Sequence, residues 1–239
     1  MKKWIIISII MFSVTGTSLF FALNEAKNER ESEGKYLSLE TENDTQEVFA
    51  YSAYGDILKN LKSKYPDICG WINVEKTKIS YPILQSTDNE YYVRRAYDGT
   101  KDKNGSIIAD YRLDRSLSTN QNIVLYGHNL ASGNMFSYLS DPEKFIEANI
   151  EIYSEGVLAV YKPYAAYIAD NADFIKLEFE SEDSLKNYIT AGKNKSIIDF
   201  KINPENGTHL LTMVTCENSF MLGEKRIVIH AVRTDLITP

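Results

Sequence analysis

The sequence predicts a mainly β domain with added helices, built either as a sandwich or as a closed barrel. From position 71 onward, short apolar runs rich in β-branched residues alternate with turn residues. The predicted strands are Trp71–Val74, Ile79–Leu84, Ser106–Asp110, Asn122–Gly127, Ile150–Tyr153, Val157–Ala169, Phe174–Phe179, Thr208–Thr215 and Arg226–Arg233. So many short strands within one domain are typical of sandwiches and barrels. The turn residues 154–156 predict a hairpin between two of these strands.

Helices are predicted at three places around these strands. Apolar residues recur at three- and four-residue steps from Val48 to Tyr65, which predicts an amphipathic helix that ends at Pro66. Asp141-Pro142-Glu143 predicts the start of a second helix, because Asp suits the cap and Pro suits the first turn. The stretch Ser181–Ala191 predicts a third helix, which Gly192 stops.

The N-terminal segment carries no charge from Trp4 to Leu23 and follows two lysines. About 20 such residues are enough for a helix to cross a hydrocarbon core of roughly 30 Å. The preceding lysines favour a cytoplasmic N-terminus. We therefore expect residues 1–24 to form a cytoplasmic start and an uncleaved transmembrane signal anchor. A cleaved secretory signal is the alternative, although the apolar run is long for one and the cleavage site is poor.

The remainder of the chain divides into a linker and one domain. Residues 25–44 are polar and charged, and their lack of apolar surface predicts an extracytoplasmic linker. Residues 45–239 have a length that suits one domain with one core. The net charge is −7, with no basic block after the anchor. This composition argues against a nucleic-acid partner, which requires a cationic surface.

A cysteine, a histidine and an arginine stand at the ends of predicted strands. Cys216 follows the run Thr208–Thr215, and His128 follows the run Asn122–Gly127. Arg226 begins the last run, and it would face Cys216 if the last two strands were antiparallel neighbours. A cationic neighbour favours the thiolate, a histidine can protonate a leaving amine, and an arginine can bind an oxyanion. Together these residues predict a membrane-anchored cysteine enzyme.

The two cysteines of the chain also have plainer interpretations. A lone cysteine is more often a buried structural residue, and two cysteines outside the cytoplasm can form a disulfide. A bond between Cys69 and Cys216 would leave no thiol for catalysis. Cys69 lies between a predicted helix end and a predicted strand, where we expect it to be buried as a small apolar residue.

The other basic residues near the predicted site are weaker candidates. Lys225 is adjacent to Arg226 but alternates to the opposite face of the strand. Arg233 lies roughly 23 Å further along an extended strand. His209 precedes an apolar strand and His230 lies inside one, so both are better explained as structural residues.

The segment Thr212-Met213-Val214-Thr215-Cys216 resembles the TLxTC signature of sortases, with Met in place of Leu. Tyr126-Gly127-His128-Asn129 resembles their histidine motif, and Arg226 stands where their essential arginine is found. Five further segments resemble class B sortases in particular, namely Asp67–Ile72, Ile79–Ile83, Asp88–Tyr92, Gly105–Arg112 and Ser132–Phe136. The sequence departs from the class at Val214, where class B enzymes often carry Ser. The resemblance covers roughly residues 45–234.

The resemblance implies a closed eight-stranded sortase-type β-barrel with an N-terminal helix and a helix between strands six and seven, here Ser181–Ala191. It also implies transpeptidation at the surface of a Gram-positive bacterium. Cys216 would attack the Thr–Gly or Thr–Asn bond of a C-terminal sorting motif and form a thioacyl-enzyme. His128 would protonate the leaving amine and deprotonate the incoming one, while Arg226 would stabilise the oxyanion. No metal or other cofactor is implied, because the thioester carries the acyl group.

The implied partners follow from that reaction. They are surface proteins with a C-terminal sorting motif, an amine of a peptidoglycan precursor, and a lipid bilayer through residues 4–23. The protein would be a single-pass cell-membrane protein with an extracellular catalytic domain. An extracytoplasmic cysteine peptidase, which releases the acyl-enzyme to water, and a non-catalytic module that binds cell-wall peptides are the alternatives. The papain-type cysteine signature near a mature N-terminus is absent.

Five residues are candidates for substrate binding by resemblance or position. Asn89, Val93 and Tyr126 resemble substrate contacts of class B enzymes, and Thr215 and Glu217 flank the cysteine. Their plainer roles are capping for Asn89, core packing for Val93 and Tyr126, and a solvated carboxylate for Glu217.

Overall fold

The computed structural model describes residues 24, 26–36, 39, 51–170, 172–204, 208–216 and 225–238. Residues 51–57 and 216 are described by their backbone alone. The chain forms two compact units, Met1–Asp44 and Thr45–Pro239. In the first unit, residues 26–36 are helical. No helix within the described ranges is long and apolar enough to cross a membrane, and the span predicted at residues 4–23 lies outside them.

The second unit is built on eight strands that close into a barrel in the order β1-β2-β3-β4-β7-β8-β6-β5. The strands are β1 (Ile68–Val74), β2 (Ser80–Leu84), β3 (Ile107–Ala109), β4 (Asn122–Gly127), β5 (Ile150–Ser154), β6 (Val157–Ala169), β7 (Leu210–Cys216) and β8 (Arg226–Ile237). The pairs β2–β3 and β4–β7 are parallel, and the other pairs are antiparallel. The closed eight-stranded barrel predicted from the resemblance is therefore confirmed.

The described helices flank the barrel. They are α1 (Tyr51–Lys64), α2 (Glu182–Lys195) and the 3-10 helices Tyr91–Arg94, Ser137–Ser140 and Pro142–Phe145. The N-terminal helix predicted from Val48 is present as α1, and its first predicted residues lie outside the described part of the chain. Helix α2 connects β6 to β7, as predicted, but it continues past Gly192, the predicted stop, to Lys195. The Ser181 hydroxyl caps its start by accepting the Ser184 amide proton at 3.2 Å.

The strand predicted at Phe174–Phe179 is wrong, because these residues form no strand. The segment runs beside the start of β4, where the Asn122 amide nitrogen donates to the carbonyl of Leu177 at 3.2 Å. The main-chain amide of Phe179 donates to Oε1 of the Gln121 side chain at 2.6 Å, and not to the backbone of a neighbouring strand. Phe174 and Phe179 are both buried. The apolar pattern therefore reflects packing against the barrel and not a ladder of backbone hydrogen bonds.

The strand register brings three separate parts of the chain to one rim of the barrel. In the parallel pair β4–β7, Gly127 lies beside Thr215, so both strands end at the same level. In the antiparallel pair β7–β8, Cys216 lies beside Arg226. His128 follows Gly127 directly. The residues predicted to act together are thus neighbours in the backbone register.

A buried polar network centred on His230 joins β4, β6, β7 and β8. The Thr212 hydroxyl donates to the Asn122 side-chain oxygen at 3.0 Å. It must therefore accept from Nδ1 of His230 at 2.9 Å, which leaves Nε2 to accept from the Tyr167 hydroxyl at 2.9 Å. His230 is 1% exposed, and its burial lowers the pKa to about 3. This setting agrees with the prediction that His230 is structural.

The neutral state of His230 predicts an acid-labile fold. Its pKa is about 3 in the folded protein against 6.5 for an ordinary histidine, so between these values the unfolded chain binds more protons than the folded one. Stability contributed by this group is thus lost as the pH falls. At two pH units below 6.5 we expect a loss of about 2 to 3 kcal/mol in the free energy of unfolding, measured by urea denaturation.

The His230→Gln variant is the control for this prediction, since it removes the titrating group. Its stability deficit relative to wild type should shrink as the pH falls. Parallel pH profiles for the two proteins would show that the acid lability arises elsewhere.

Candidate active site

A cavity of about 110 Å³ opens at the rim where β4, β7 and β8 meet. It is lined by Val93, Ser106, Ile108, Tyr126, Gly127, His128, Val214, Thr215 and Arg226. Five of the eight residues predicted for the site therefore share one cavity. Cys216 is the last residue of β7 and directly follows Thr215, but its side chain lies outside the described residues, as does all of Glu217.

His128 lines this cavity and is half-buried. Its Nε2 lies 2.8 Å from the main-chain carbonyl oxygen of Val93. A carbonyl oxygen can only accept, so Nε2 carries a hydrogen and donates it. The backbone is held as well, because the Phe136 amide donates to the His128 carbonyl at 3.0 Å. Both the ring and the main chain of His128 are thus fixed by neighbouring backbone.

Among the basic residues near the strand ends, Arg226 lines the cavity, while Lys225 and Arg233 do not. Lys225 forms an ion pair with Asp170, with Nζ 3.0 Å from Oδ1. Arg233 donates from Nη1 to the carbonyl of Ser118 at 2.8 Å, well down β8 from the rim. The geometry therefore favours Arg226 over the two alternatives for a role at the cavity.

Thr215 presents a buried hydroxyl that lacks a hydrogen-bond partner among the described residues. The residue is 1% exposed and lines the cavity. An unsatisfied buried hydroxyl costs about 1 to 3 kcal/mol. A ligand that enters the cavity and hydrogen-bonds to this hydroxyl would relieve that cost.

Asp110 organises the wall of the site next to Tyr126. It is fully buried and accepts from Nε and Nη2 of Arg112 at 2.8 Å each, from the Tyr126 hydroxyl at 2.9 Å and from Nδ2 of Asn89 at 3.1 Å. Burial would raise the pKa of the Asp110 carboxyl, but these hydrogen bonds, foremost those from Arg112, hold it below its ordinary value. The carboxylate is charged and connects the loop that carries Asn89 to β4.

Asn89 and Tyr126 therefore have structural partners in addition to their predicted roles. Asn89 does not line the cavity, and its Oδ1 also accepts the Tyr111 amide at 2.9 Å. The hydroxyl of Tyr126 is engaged by Asp110, while the residue still lines the cavity. Asp110 itself was missed as a site residue. A charged residue at the end of the apolar run Ile107–Ala109 was the signal that could have found it.

Cys69 has the burial of a structural residue and not the exposure of a reactive cysteine. It is a free thiol, which excludes a disulfide with Cys216. It is fully buried, and Sγ donates to the carbonyl of Ile83 at 3.4 Å. Burial raises the pKa of this thiol to about 12. The prediction that Cys69 is a buried structural residue is confirmed.

Residues 72–234 match the sortase domain family. The chain belongs to the sortase family. Over 180 residues it is 31% identical to sortase B of Staphylococcus aureus, with 72% of each chain covered. Over 185 residues it is 29% identical to sortase B of Listeria monocytogenes, with 73% of each chain covered. A solved structure of a mutant form of Clostridium perfringens sortase B matches with a TM-score of 0.73 and 27% identity, over 84% of this chain and 97% of that one.

These relatives identify the chain as a class B sortase and hence as a cysteine transpeptidase. For this sortase the cavity supplies the groups that acyl transfer at a thiol requires. An imidazole can move protons, a guanidinium can bind an oxyanion, and both lie at the strand end that Cys216 occupies.

Proposed function

We propose that this sortase is a membrane-anchored enzyme that cleaves a C-terminal sorting motif after Thr and transfers the protein to an amine of a peptidoglycan precursor. The observation that carries the proposal is the meeting of three strand ends. His128 and Arg226 line one cavity, and the backbone of Cys216 is paired with Arg226 at its edge. The family resemblance supplies the substrate class, namely surface proteins with a sorting motif.

The reaction follows from the chemistry of these groups. The Cys216 thiolate attacks the carbonyl carbon of the Thr residue, and Arg226 stabilises the negative oxygen that forms there. His128 gives a proton to the leaving nitrogen as the C–N bond breaks, which leaves a thioester on Cys216. The acceptor amine then loses a proton to His128 and attacks the thioester. The C–S bond breaks, and the thiolate returns.

The membrane anchor and the extracellular location are part of the same proposal. The uncharged run from Trp4 to Leu23 supports an anchor at residues 1–24, followed by a linker at residues 25–44 and a catalytic domain at residues 45–239. Peptidoglycan lies outside the cytoplasm, so an extracellular catalytic domain would have access to the acceptor amine. Extraction of the full chain with detergent but not with salt would support the anchor.

Transfer to an amine is tested by incubating the protein with a peptide that contains a Thr–Gly or Thr–Asn bond within a sorting motif. Oligoglycine or a diaminopimelate-type amine is added at increasing concentration. We expect an amine-capped product that grows with the added amine. Hydrolysis that no amine changes would instead support the cysteine peptidase.

The buried hydroxyl of Thr215 predicts a variant that loses activity without losing stability. Thr215→Val keeps the shape of the side chain and removes a buried hydroxyl that has no partner among the described residues. We expect the free energy of unfolding to stay constant or rise by about 1 kcal/mol. If the hydroxyl binds the sorting peptide, kcat/KM should fall by up to about 10-fold, since a neutral hydrogen bond contributes roughly 1.4 kcal/mol or less. Urea denaturation and steady-state cleavage measure the two effects.

Thr212→Val is the matched control on the same strand. The Thr212 hydroxyl is buried too, but it is bonded to Asn122 and His230. Its removal should lower the free energy of unfolding by about 1 to 3 kcal/mol. An unchanged kcat/KM in Thr215→Val would exclude the hydroxyl as a substrate contact.

A further inference from the structure

We propose that the main-chain carbonyl of Val93 selects the tautomer of His128, that Nδ1 is therefore the ring nitrogen that moves the proton during transpeptidation, and that Gly105 is the positioning residue that makes this contact possible. The inference rests on the proposed role of His128 in proton transfer. It assigns a role to each ring nitrogen of His128. It also names Gly105, a residue that does not take part in the reaction, as the one that allows the Val93 carbonyl to orient the ring.

The first observation is the hydrogen bond between Nε2 of His128 and the Val93 oxygen, at 2.8 Å. The carbonyl has no hydrogen to give, so the hydrogen resides on Nε2. In a neutral imidazole the lone pair then belongs to Nδ1. Within the described ranges Nδ1 has no hydrogen-bond partner. The nitrogen available to accept or deliver a proton is therefore Nδ1.

The second observation is that the Val93 carbonyl belongs to a well-anchored segment. Val93 lies in the 3-10 helix Tyr91–Arg94, and its amide donates to the Glu90 carbonyl at 3.0 Å. The Asp88 carboxylate accepts the amides of Tyr91 at 2.7 Å and Glu90 at 2.9 Å, which fixes the start of this helix. The acceptor that orients His128 is thus held by backbone and side-chain contacts of its own.

The third observation is the close approach of Gly105 to the same carbonyl. A Cβ at this position would lie 2.4 Å from the Val93 oxygen and 3.0 Å from the Tyr92 oxygen. These neighbours are backbone atoms, which cannot turn aside as a flexible side chain could. Gly105 also has a φ of +63°, which disfavours any residue with a Cβ. Any other residue here would push the Val93 carbonyl away from its place.

The assignment defines the path of the proton through the ring. When the tetrahedral intermediate collapses, Nδ1–H of the imidazolium gives its proton to the leaving nitrogen as the C–N bond breaks. Nδ1 then takes a proton from the acceptor amine as the new C–N bond forms and the C–S bond breaks. Nε2 keeps its hydrogen on the Val93 oxygen in both half-reactions. The His128 ring therefore need not flip between the two half-reactions.

The tautomer is measured directly on the full chain, solubilised in detergent and labelled with ¹⁵N-histidine. Nitrogen shifts and long-range proton–nitrogen correlations distinguish the two tautomers, and His128→Gln assigns the His128 signals. We expect neutral His128 to carry its hydrogen on Nε2. His230 is an internal reference, because Thr212 requires the opposite tautomer there. A His128 ring with its hydrogen on Nδ1, or an even mixture of tautomers, would overturn the proposal.

Gly105→Ala tests the positioning role, with Gly156→Ala as the matched control. Gly156 has a φ of +78° with nothing within 4 Å of a built Cβ, and it lies in the β5–β6 turn, at the end of β6 opposite to the cavity. Both variants bear similar backbone strain. In Gly105→Ala we expect mixed His128 tautomers and a fall in kcat on the order of 10- to 100-fold, with KM changed less.

The outcomes separate this inference from the proposed function. Unchanged tautomer and kcat in Gly105→Ala would refute the positioning role. If that variant does not fold, the wild-type spectrum still decides the tautomer. Full turnover by His128→Gln would refute the proposed role of His128, whichever tautomer the wild-type ring adopts.

Discussion

Replacing Cys216 with alanine is expected to abolish cleavage and transfer of a sorting-motif peptide. The thioacyl-enzyme needs a thiol, and loss of a catalytic nucleophile lowers kcat by roughly 10⁴-fold or more. The chain has one other cysteine, Cys69, and its burial raises the thiol pKa to about 12. That thiol carries almost no thiolate at neutral pH and cannot replace Cys216.

Cys69→Ala is therefore the control for Cys216→Ala. It leaves a small cavity that lowers the free energy of unfolding by about 1 to 2 kcal/mol, and it should leave turnover nearly unchanged. Mass spectrometry of the acid-quenched reaction should show one acyl adduct on wild type and on Cys69→Ala, and none on Cys216→Ala. Retained turnover in Cys216→Ala, or an adduct on Cys69, would refute the assignment of the nucleophile.

Replacing Arg226 with lysine should lower kcat/KM by about 10²- to 10³-fold, although the charge is kept. Lysine lacks the planar guanidinium with its fixed fork of N–H donors, so the hydrogen bonds to a developing oxyanion lose their geometry. Arg226 and His128 line the same cavity. Steady-state cleavage of the sorting-motif peptide measures the loss.

Arg233→Lys is the matched control on the same strand. Arg233 is bonded to the Ser118 carbonyl and lies away from the cavity, so its replacement should leave kcat/KM close to wild type. Near-normal turnover of Arg226→Lys would show that a donor other than Arg226 stabilises the oxyanion. Lys225 would be the next residue to test, after release from its ion pair with Asp170.

The strands and the catalytic candidates could be predicted from the sequence because each has a local signal. β-Branched runs bounded by turn residues mark β4 and β7, and His128 and Cys216 stand at their ends. The short connection between β7 and β8 makes them antiparallel neighbours, which places Arg226 opposite Cys216. Where the same local signal failed, at Phe174–Phe179, the apolar residues pack on the barrel without pairing as a strand.

The features that complete the site have no local signal. The parallel pairing that sets Gly127 beside Thr215 joins distant parts of the chain, so its register depends on closure of the whole barrel. The burial of Asp110 and of the Thr215 hydroxyl likewise depends on what packs around them.

The fit of Gly105 against the Val93 carbonyl is a further contact between segments. Residue type and periodicity therefore sufficed to name the candidate reactive groups and the strands that carry them. Their orientation needed the folded chain, because hydrogen bonds and contacts between distant segments are made only when the barrel closes.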